Sequence, residues 1–209
     1  MATTNAADLV IPTFHDVLGD VFAHGHTHYW LHGGRGSTKS SFISLAIVLL
    51  VVNFPFANAV VIRRFGNTLR DSVYQQVLWA ISSLGLEGYF RARLSPMEIT
   101  YLPTGQRIVF RGADDPLKLK GIKFTKGHPA VIWFEELDQF DGIEAVRSIL
   151  NSLRRGGDDF WIFYSYNPPR TMWSWVNVEC LERQNRADTL VRRSSYLDVV
   201  EPHPEWLGE

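Results

Sequence analysis

The 209-residue sequence predicts an α/β fold, a central and mostly parallel sheet flanked by helices, on three observations. A short apolar run, Tyr29-Trp30-Leu31, leads through a glycine-rich turn into a strongly apolar stretch from Ser41 to Val52. Short β-branched or aromatic runs then alternate with segments of helical period, the pattern of parallel strands joined by helical crossovers. One of these runs, Pro129 to Phe134, stops in two acids, Glu135 and Glu136. Open α/β sheets gather their ligands at the carboxyl ends of such strands.

Composition bounds the reading. A 45% hydrophobic content supports one sizeable core, and a formal charge of −1 excludes a global basic field, so any nucleic-acid contact must be local. Cys180 is the only cysteine, which excludes an intramolecular disulfide and fits a reducing interior. The first residues lack a charged-then-apolar leader pattern. The run Phe42 to Val52 is too short to span a bilayer, so no membrane role is expected.

Taken in order, residues 1–27 read as a weakly patterned lead-in. His24, His26 and His28 would share one face of an extended segment, with His32 beyond. With no carboxylate or cysteine beside them in the stretch read for a site, an exposed strand edge is the expectation rather than a metal centre. Tyr29 and Trp30 suit core packing, with base stacking as the other reading. Lys39 to Asn53 is a helix apolar on nearly every face, hence buried, and Pro55 follows it. Asn58 to Arg64 is a buried parallel strand ending in two arginines, and Thr68 to Leu84 has helical spacing. Residues 98–112 form a hairpin about Pro103-Thr104-Gly105. Gly112 to Gly127 carries Lys118, Lys120, Lys123 and Lys126, either a solvated loop or a segment that touches DNA phosphates or a neighbour's nucleotide. A helix over Asp141 to Arg155, a strand Phe160 to Tyr164 running into Asn167-Pro168-Pro169, a helix over Met172 to Arg186 and a strand Leu190 to Tyr196 complete the pattern. Glu201-Pro202-His203-Pro204 reads as linker.

The chemistry concentrates in Gly33-Gly34-Arg35-Gly36-Ser37-Thr38-Lys39-Ser40. Glycines let consecutive N–H groups turn inward at a helix start and cradle an anion. Lys39 would reach the β- and γ-phosphates and the Ser40 hydroxyl would face Mg²⁺, the logic of the phosphate-binding loop G-x-x-x-x-G-K-[ST]. Thr38 stands where that pattern has its last glycine. In a P-loop NTPase, the first acid after the second strand signal holds Mg²⁺ and the second orients or deprotonates the attacking water. Glu135 and Glu136 stand in those places, and Asn167, at a strand end beside the loop, is placed to sense the γ-phosphate.

The loop closely resembles the Walker A loop of phage terminase large subunits, in which an arginine is common. Val61-Ile62-Arg63-Arg64 with Asn67 to Ser72, Phe110-Arg111-Gly112 with Asp115-Pro116, Phe134-Glu135-Glu136 and Asn167-Pro168-Pro169 agree with the same family. The resemblance runs from about Trp30 to Asp198 and implies an ATPase domain over 28–198, with 199–209 the start of a linker to a nuclease domain not held here. It implies ATP and Mg²⁺ as cofactors, with Gly33 through Ser40 binding nucleotide, Lys39, Glu136 and Arg35 catalytic, Ser40 and Glu135 on the metal, and Asn167 in the coupling motif. A second arginine from a ring neighbour has Arg111, Arg154 and Arg155 as candidates. The implied activity is ATP hydrolysis that drives double-stranded viral DNA into the prohead, in the host-cell cytoplasm. The implied partners are DNA, the portal protein, the terminase small subunit and copies of the chain in a ring, with a monomer in isolation. A P-loop helicase or other DNA translocase, or a nucleotide-gated binding module with vestigial hydrolysis, are the alternatives.

Overall fold

The computed structural model describes residues 6–200. One eight-stranded sheet runs through it. In chain order its strands are β1 (His28–Gly33), β2 (Ala57–Arg63), β3 (Phe90–Leu94), β4 (Met97–Tyr101), β5 (Arg107–Gly112), β6 (His128–Glu135), β7 (Trp161–Tyr166) and β8 (Thr189–Ser194). In space they lie in the order β3-β4-β5-β2-β6-β7-β1-β8. Pairing is parallel from β5 through β8, and β3 and β4 are added antiparallel at one edge. The parallel strands β2 and β6 are buried almost end to end, as continuous apolar runs require when both faces are covered.

Helices α1 (His15–Ala23), α2 (Lys39–Asn53) and α3 (Gln75–Ser83) cover one face, and α4 (Pro116–Lys120), α5 (Ile143–Leu153) and α6 (Trp175–Arg183) the other. α2 is apolar all round and buries ten of its fifteen residues, so it belongs against the sheet centre. α3 begins as a π-turn at Arg70–Tyr74, and Leu69, Val73, Val77 and Ile81 face the core. A short α7 (Leu197–Val200) follows β8.

Several elements differ from expectation. The lead-in is no loose segment: α1 and a 3₁₀ turn at Pro12–Phe14 put Val10, Phe14, Val17 and Val21 into the main core, with Phe14 stacked on Phe42 at 4.7 Å. β3 is an addition to the expected pattern, because an edge strand exposed over Arg91 to Leu94 has no buried alternation to read. The lysine-bearing segment contains α4 rather than a plain loop. The helix expected over 172–186 is shortened to α6, and Trp173 is exposed before it. Residues 199–200 belong to α7 with Val199 buried, so the expected linker starts no earlier than 201 and lies outside the described residues.

The three histidines do not share a strand edge. His24 ends α1 in a left-handed conformation and stacks on Trp161, His26 pairs with Asp20, and His28 is buried in β1 against Tyr164, because β1 lies inside the sheet. Among the described residues no cluster of three His, Cys, Asp or Glu could hold a metal, and no helix is long and apolar enough to cross a membrane. Tyr29 and Trp30 are fully buried in opposite cores, which settles them as packing residues.

Phe14→Ala tests whether the first helix is integral. Deleting a fully buried ring should cost about 3–5 kcal/mol, read as a fall in the thermal midpoint of about 2–4 °C per kcal/mol for a chain of this size. A midpoint unchanged within error would make residues 6–27 an appendage.

Candidate active site

The carboxyl ends of β1, β7, β6 and β2 meet at one rim of the sheet, and each delivers a polar side chain to it. β1 runs into the loop 34–38 and then into α2. Gly33 has φ 151°, and a Cβ there would come within 1.7 Å of the Ser194 carbonyl oxygen of β8, so only glycine lets the two strands pair at that point. Gly36, at φ 73°, makes the turn. Thr38 occupies the left-handed region at φ 56° and ψ 12°, where the usual pattern has glycine. A β-branched residue there is strained by about 1–3 kcal/mol, and its buried hydroxyl has no hydrogen-bond partner among the described residues.

The loop closes around Lys39. Its buried ammonium donates to the carbonyls of Gly33 and Gly34, each at 2.9 Å, to Ser37 Oγ at 2.8 Å and to Asn167 Oδ1 at 3.2 Å. Burial pulls its pKa down to about 8, against the attraction of Glu135 and Asp138. It is still mainly cationic at neutral pH. Ser37 is itself buried and donates back to the Gly34 carbonyl.

Ser40 Oγ donates to Glu135 Oε1 at 3.3 Å, joining the first turn of α2 to the end of β6. Burial raises the Glu135 pKa, while Arg63 and Ser40 oppose the shift. A hydroxyl and a carboxylate at that separation suit a hard divalent cation, which Mg²⁺ sites complete with water and substrate phosphates rather than a protein cage. Glu136 follows in a left-handed conformation, φ 54° and ψ 52°, as the chain leaves the sheet. Arg35 is exposed at the mouth. Together the loop, Glu135, Glu136, Ser165, Tyr166 and Asn167 line a cleft of about 450 Å³.

Every residue singled out for this site therefore lies in or directly against one cleft, and the three arginines considered for a second role do not line it. Arg111 donates to the carbonyls of Met97 and Phe110, Arg154 lies over the Phe160 ring, and Arg155 donates to the carbonyls of Lys120 and Ile122. The sequence alone assigns no role to Arg63. Its buried guanidinium bridges both acids: Nε lies 2.9 Å from Glu135 Oε2, and Nη2 pairs with Glu136. The Nε contact is off the N–H axis, so it is ionic rather than a hydrogen bond. Arg63 Nη1 donates to Ser72 Oγ at 2.9 Å and to the Thr68 carbonyl at 3.2 Å. A signal is present in the residues: a charged side chain closing a buried strand, like the acids themselves. Register decides it, since Ile62 of β2 pairs with Phe134 of β6 and the next residues along are Arg63 and Glu135.

Comparison with known proteins places this geometry. The family model described as "Phage terminase large subunit" matches residues 25–208. The terminase large subunit of Bacillus phage SPP1 is 39% identical over 201 residues, covering 94% of this chain and 47% of that protein. The PBSX phage terminase large subunit of Bacillus subtilis (strain 168) is 31% identical over 176 residues, covering 84% and 38%. The chain thus spans about half or less of the curated relatives it matches. The large terminase of a thermophilic bacteriophage superposes with a TM-score of 0.72 at 17% identity, over 90% of this chain and 46% of that one. The same thermophilic-phage protein in complex with ADP gives 0.70, at 17% identity over 92% and 47%. The Thermus phage P74-26 large terminase ATPase domain gives 0.60 at 17% identity, over 94% and 91%.

Two variants probe the site without substrate. Thr38→Gly removes a strained backbone and a buried unpartnered hydroxyl, and should raise stability by about 1 kcal/mol after glycine's own entropy cost; a lower thermal midpoint would refute the strain. Arg63→Met leaves two acids without their cation and should cost about 3–5 kcal/mol at pH 7. The Glu135 pKa, already raised by burial, then rises further. A carboxyl with a raised folded pKa loses stability as pH climbs from its unfolded value through the folded one, so the deficit should shrink on acidification. Urea unfolding at pH 7 and pH 5 reads this out, and an equal deficit at both would deny the charge origin.

Proposed function

The chain belongs to the phage terminase large subunit family, and from that premise we propose that it hydrolyses ATP to drive double-stranded DNA into a prohead. One observation carries the reading: Lys39 and Ser40 from the first turn of α2, Glu135 and Glu136 from the end of β6 and Asn167 from the end of β7 converge on one cleft, with Lys39 bonded to Asn167 and Ser40 to Glu135.

The loop amides and Lys39 bind the phosphates of ATP. Gly33, Gly34, Gly36, Ser37 and Thr38 set the path of that loop, and Arg35 at its mouth adds charge near the γ-phosphate. Ser40 and Glu135 would hold Mg²⁺, which would offset phosphate charge. Glu136 orients the attacking water and takes its proton. Preorganised cations, Lys39 and an arginine, stabilise the charge of the transferred phosphoryl group. Asn167, joined to Lys39, reports the state of the γ-phosphate to the segment Pro168-Pro169. Removal of Glu136 from Arg63 precedes its use as a base, since a carboxylate held by a guanidinium is a weak proton acceptor. The partners in this reading are duplex DNA, the portal protein, the terminase small subunit and further copies of the chain in a ring. The place of action is the host-cell cytoplasm.

A nucleotide-gated binding module is the second reading, favoured by the strained Thr38 and by the Arg63 pairing of Glu136. Phosphate release from Mg-ATP separates the two, with DNA and portal supplied. Glu136→Gln should lower turnover by about 10²-fold or more, as loss of a general base does, while ATP still binds. Lys39→Ala should abolish binding and turnover together. Near-normal turnover in Glu136→Gln would remove its role, and no turnover in the unaltered chain would favour the binding module.

A further inference from the structure

Three tryptophans are fully buried on the strands of the sheet, and each has an indole N–H to place. Trp161 Nε1 donates to the Val21 carbonyl at 2.8 Å, a backbone partner inside the core. Trp30 Nε1 has no partner among the described residues. Trp133 differs from both. Its Nε1 donates at 2.9 Å to Ser165 Oγ, and Ser165 lines the phosphate cleft. Strand register explains the reach. Trp133 of β6 pairs with Phe163 of β7, and Glu135 pairs with Ser165 in the next row toward the rim. Directly paired residues project from the same face, and so do alternate residues along a strand. Trp133, Glu135 and Ser165 therefore share the face that α2 covers, with the indole one row deeper than the hydroxyl. The contact is a diagonal between rows, a span within reach of an aromatic side chain.

A serine hydroxyl has one proton and two acceptor positions, whereas an indole N–H can only donate. Trp133 therefore makes Ser165 Oγ an acceptor from the core side. The hydroxyl keeps its own proton, which has no acceptor among the described residues. Ser165 is 2% exposed, so it is sheltered from bulk water. With the core side of the oxygen taken by the indole, the proton is left to the cleft, which Lys39 and Glu135 also line. A sheltered donor without a partner costs free energy, and an oxygen bound in the cleft would offset that cost.

We propose that Trp133 is a positioning residue: its indole orients Ser165 so that the hydroxyl donates to an oxygen of the terminal phosphate of a bound nucleotide. The choice of ligand rests on the ATPase reading given above. No proton leaves Ser165 and no bond to it forms. It adds one neutral donor, fixed before the ligand arrives, beside the charged groups of the cleft. Donors held in place in this way are worth most where negative charge grows during the reaction. If Ser165 served only to satisfy a core indole, its loss would lower stability and leave turnover alone.

The test uses the full chain and the proton–nitrogen NMR signals of its seven indoles. The Trp133 signal is assigned by its loss in Trp133→Phe. A non-hydrolysable ATP analogue at saturation should move that signal and ADP should not, since hydrogen bonds in a chain polarise one another. In Ser165→Ala the difference between the two nucleotides should vanish. Turnover of ATP, with DNA and portal supplied, is the second readout. Ser165→Ala should lower kcat by about 10²-fold, as loss of one preorganised donor does, with KM little changed. Trp133→Phe should lower kcat by about 2- to 10-fold, the worth of one hydrogen bond, and should have no effect on kcat in the Ser165→Ala background. Trp161→Phe removes an equally buried indole and should leave kcat as it was. A Trp133 signal that stays put or moves equally with ADP, normal kcat in Ser165→Ala, equal losses from Trp133→Phe in both backgrounds, or an equal loss in Trp161→Phe would each overturn the proposal. An unaltered chain that binds the analogue without turning ATP over would fail the ATPase reading alone, and the indole signal would still decide whether the hydroxyl meets the terminal phosphate.

Discussion

The Lys39 ammonium is buried at the head of a strongly apolar helix, and much of the cleft follows from the need to solvate it. A charge removed from water must be given oxygen partners. Here the loop supplies them by folding its own carbonyls inward at Gly33 and Gly34, with Ser37 and Asn167 completing the shell. That inward fold dictates the backbone. Gly33 must press against β8 where no side chain fits, and Thr38 must turn left-handed to start α2. The strain at Thr38 is thus a consequence of where the amine has to lie. The incomplete repayment of hydration shows in the Lys39 pKa of about 8, lowered yet high enough to leave the charge in place at neutral pH.

A second requirement is charge balance. Two carboxylates at the end of β6 face one lysine, and burial already raises the Glu135 pKa. Arg63 supplies the missing cation from the adjacent strand. It is not a free side chain, because Ser72 and the Thr68 carbonyl hold its other nitrogen. Thr68 stands just before the π-turn Arg70–Tyr74 and Ser72 lies within it, at the start of the helix after β2. Such wide turns are less stable than α-helix and recur at functional sites. The orientation of Glu136 is therefore tied through one guanidinium to the start of the helix after β2.

Much of this is legible in the residues because it is local. The loop, the apolar helix and the paired acids each occupy a few consecutive positions, and their chemistry needs no knowledge of neighbours. Strand β2 is legible for its β-branched run, whereas the use of Arg63 is not, since it depends on β2 lying beside β6. β3 escapes for the opposite reason: exposed over Arg91 to Leu94, it shows neither alternation nor an apolar run. The histidines mislead because spacing on an extended chain means nothing once His24 is the left-handed end of a helix. α1 is hidden by its own weak pattern, with Gly19 in its middle and two aspartates among nine residues.

The cleft and the end of β5 are joined by a short backbone path. Ile62 of β2 pairs with Arg111 of β5, and Arg63 with Gly112. Beyond the strands, the Ala113 amide donates to the Arg63 carbonyl at 2.9 Å and the Asp114 amide to that of Arg64 at 3.1 Å, while Asp114 also accepts from Gly66, just before the π-turn. One residue, Arg63, is thus bonded by its side chain to both acids and by its carbonyl to the end of the strand that carries Arg107 and Arg111. Proximity alone does not make a pathway; coupling needs an element with two arrangements that both sites bias. The π-turn lies between the two, with Ser72 accepting from Arg63 and the Thr68 carbonyl just before it accepting from the same guanidinium. On the proposed function, a shift at the β5 edge would reach the Glu136 clamp through this turn as well as through the strand backbone, because Tyr74 of the turn packs on Phe110 of β5 and Ser72 holds Arg63.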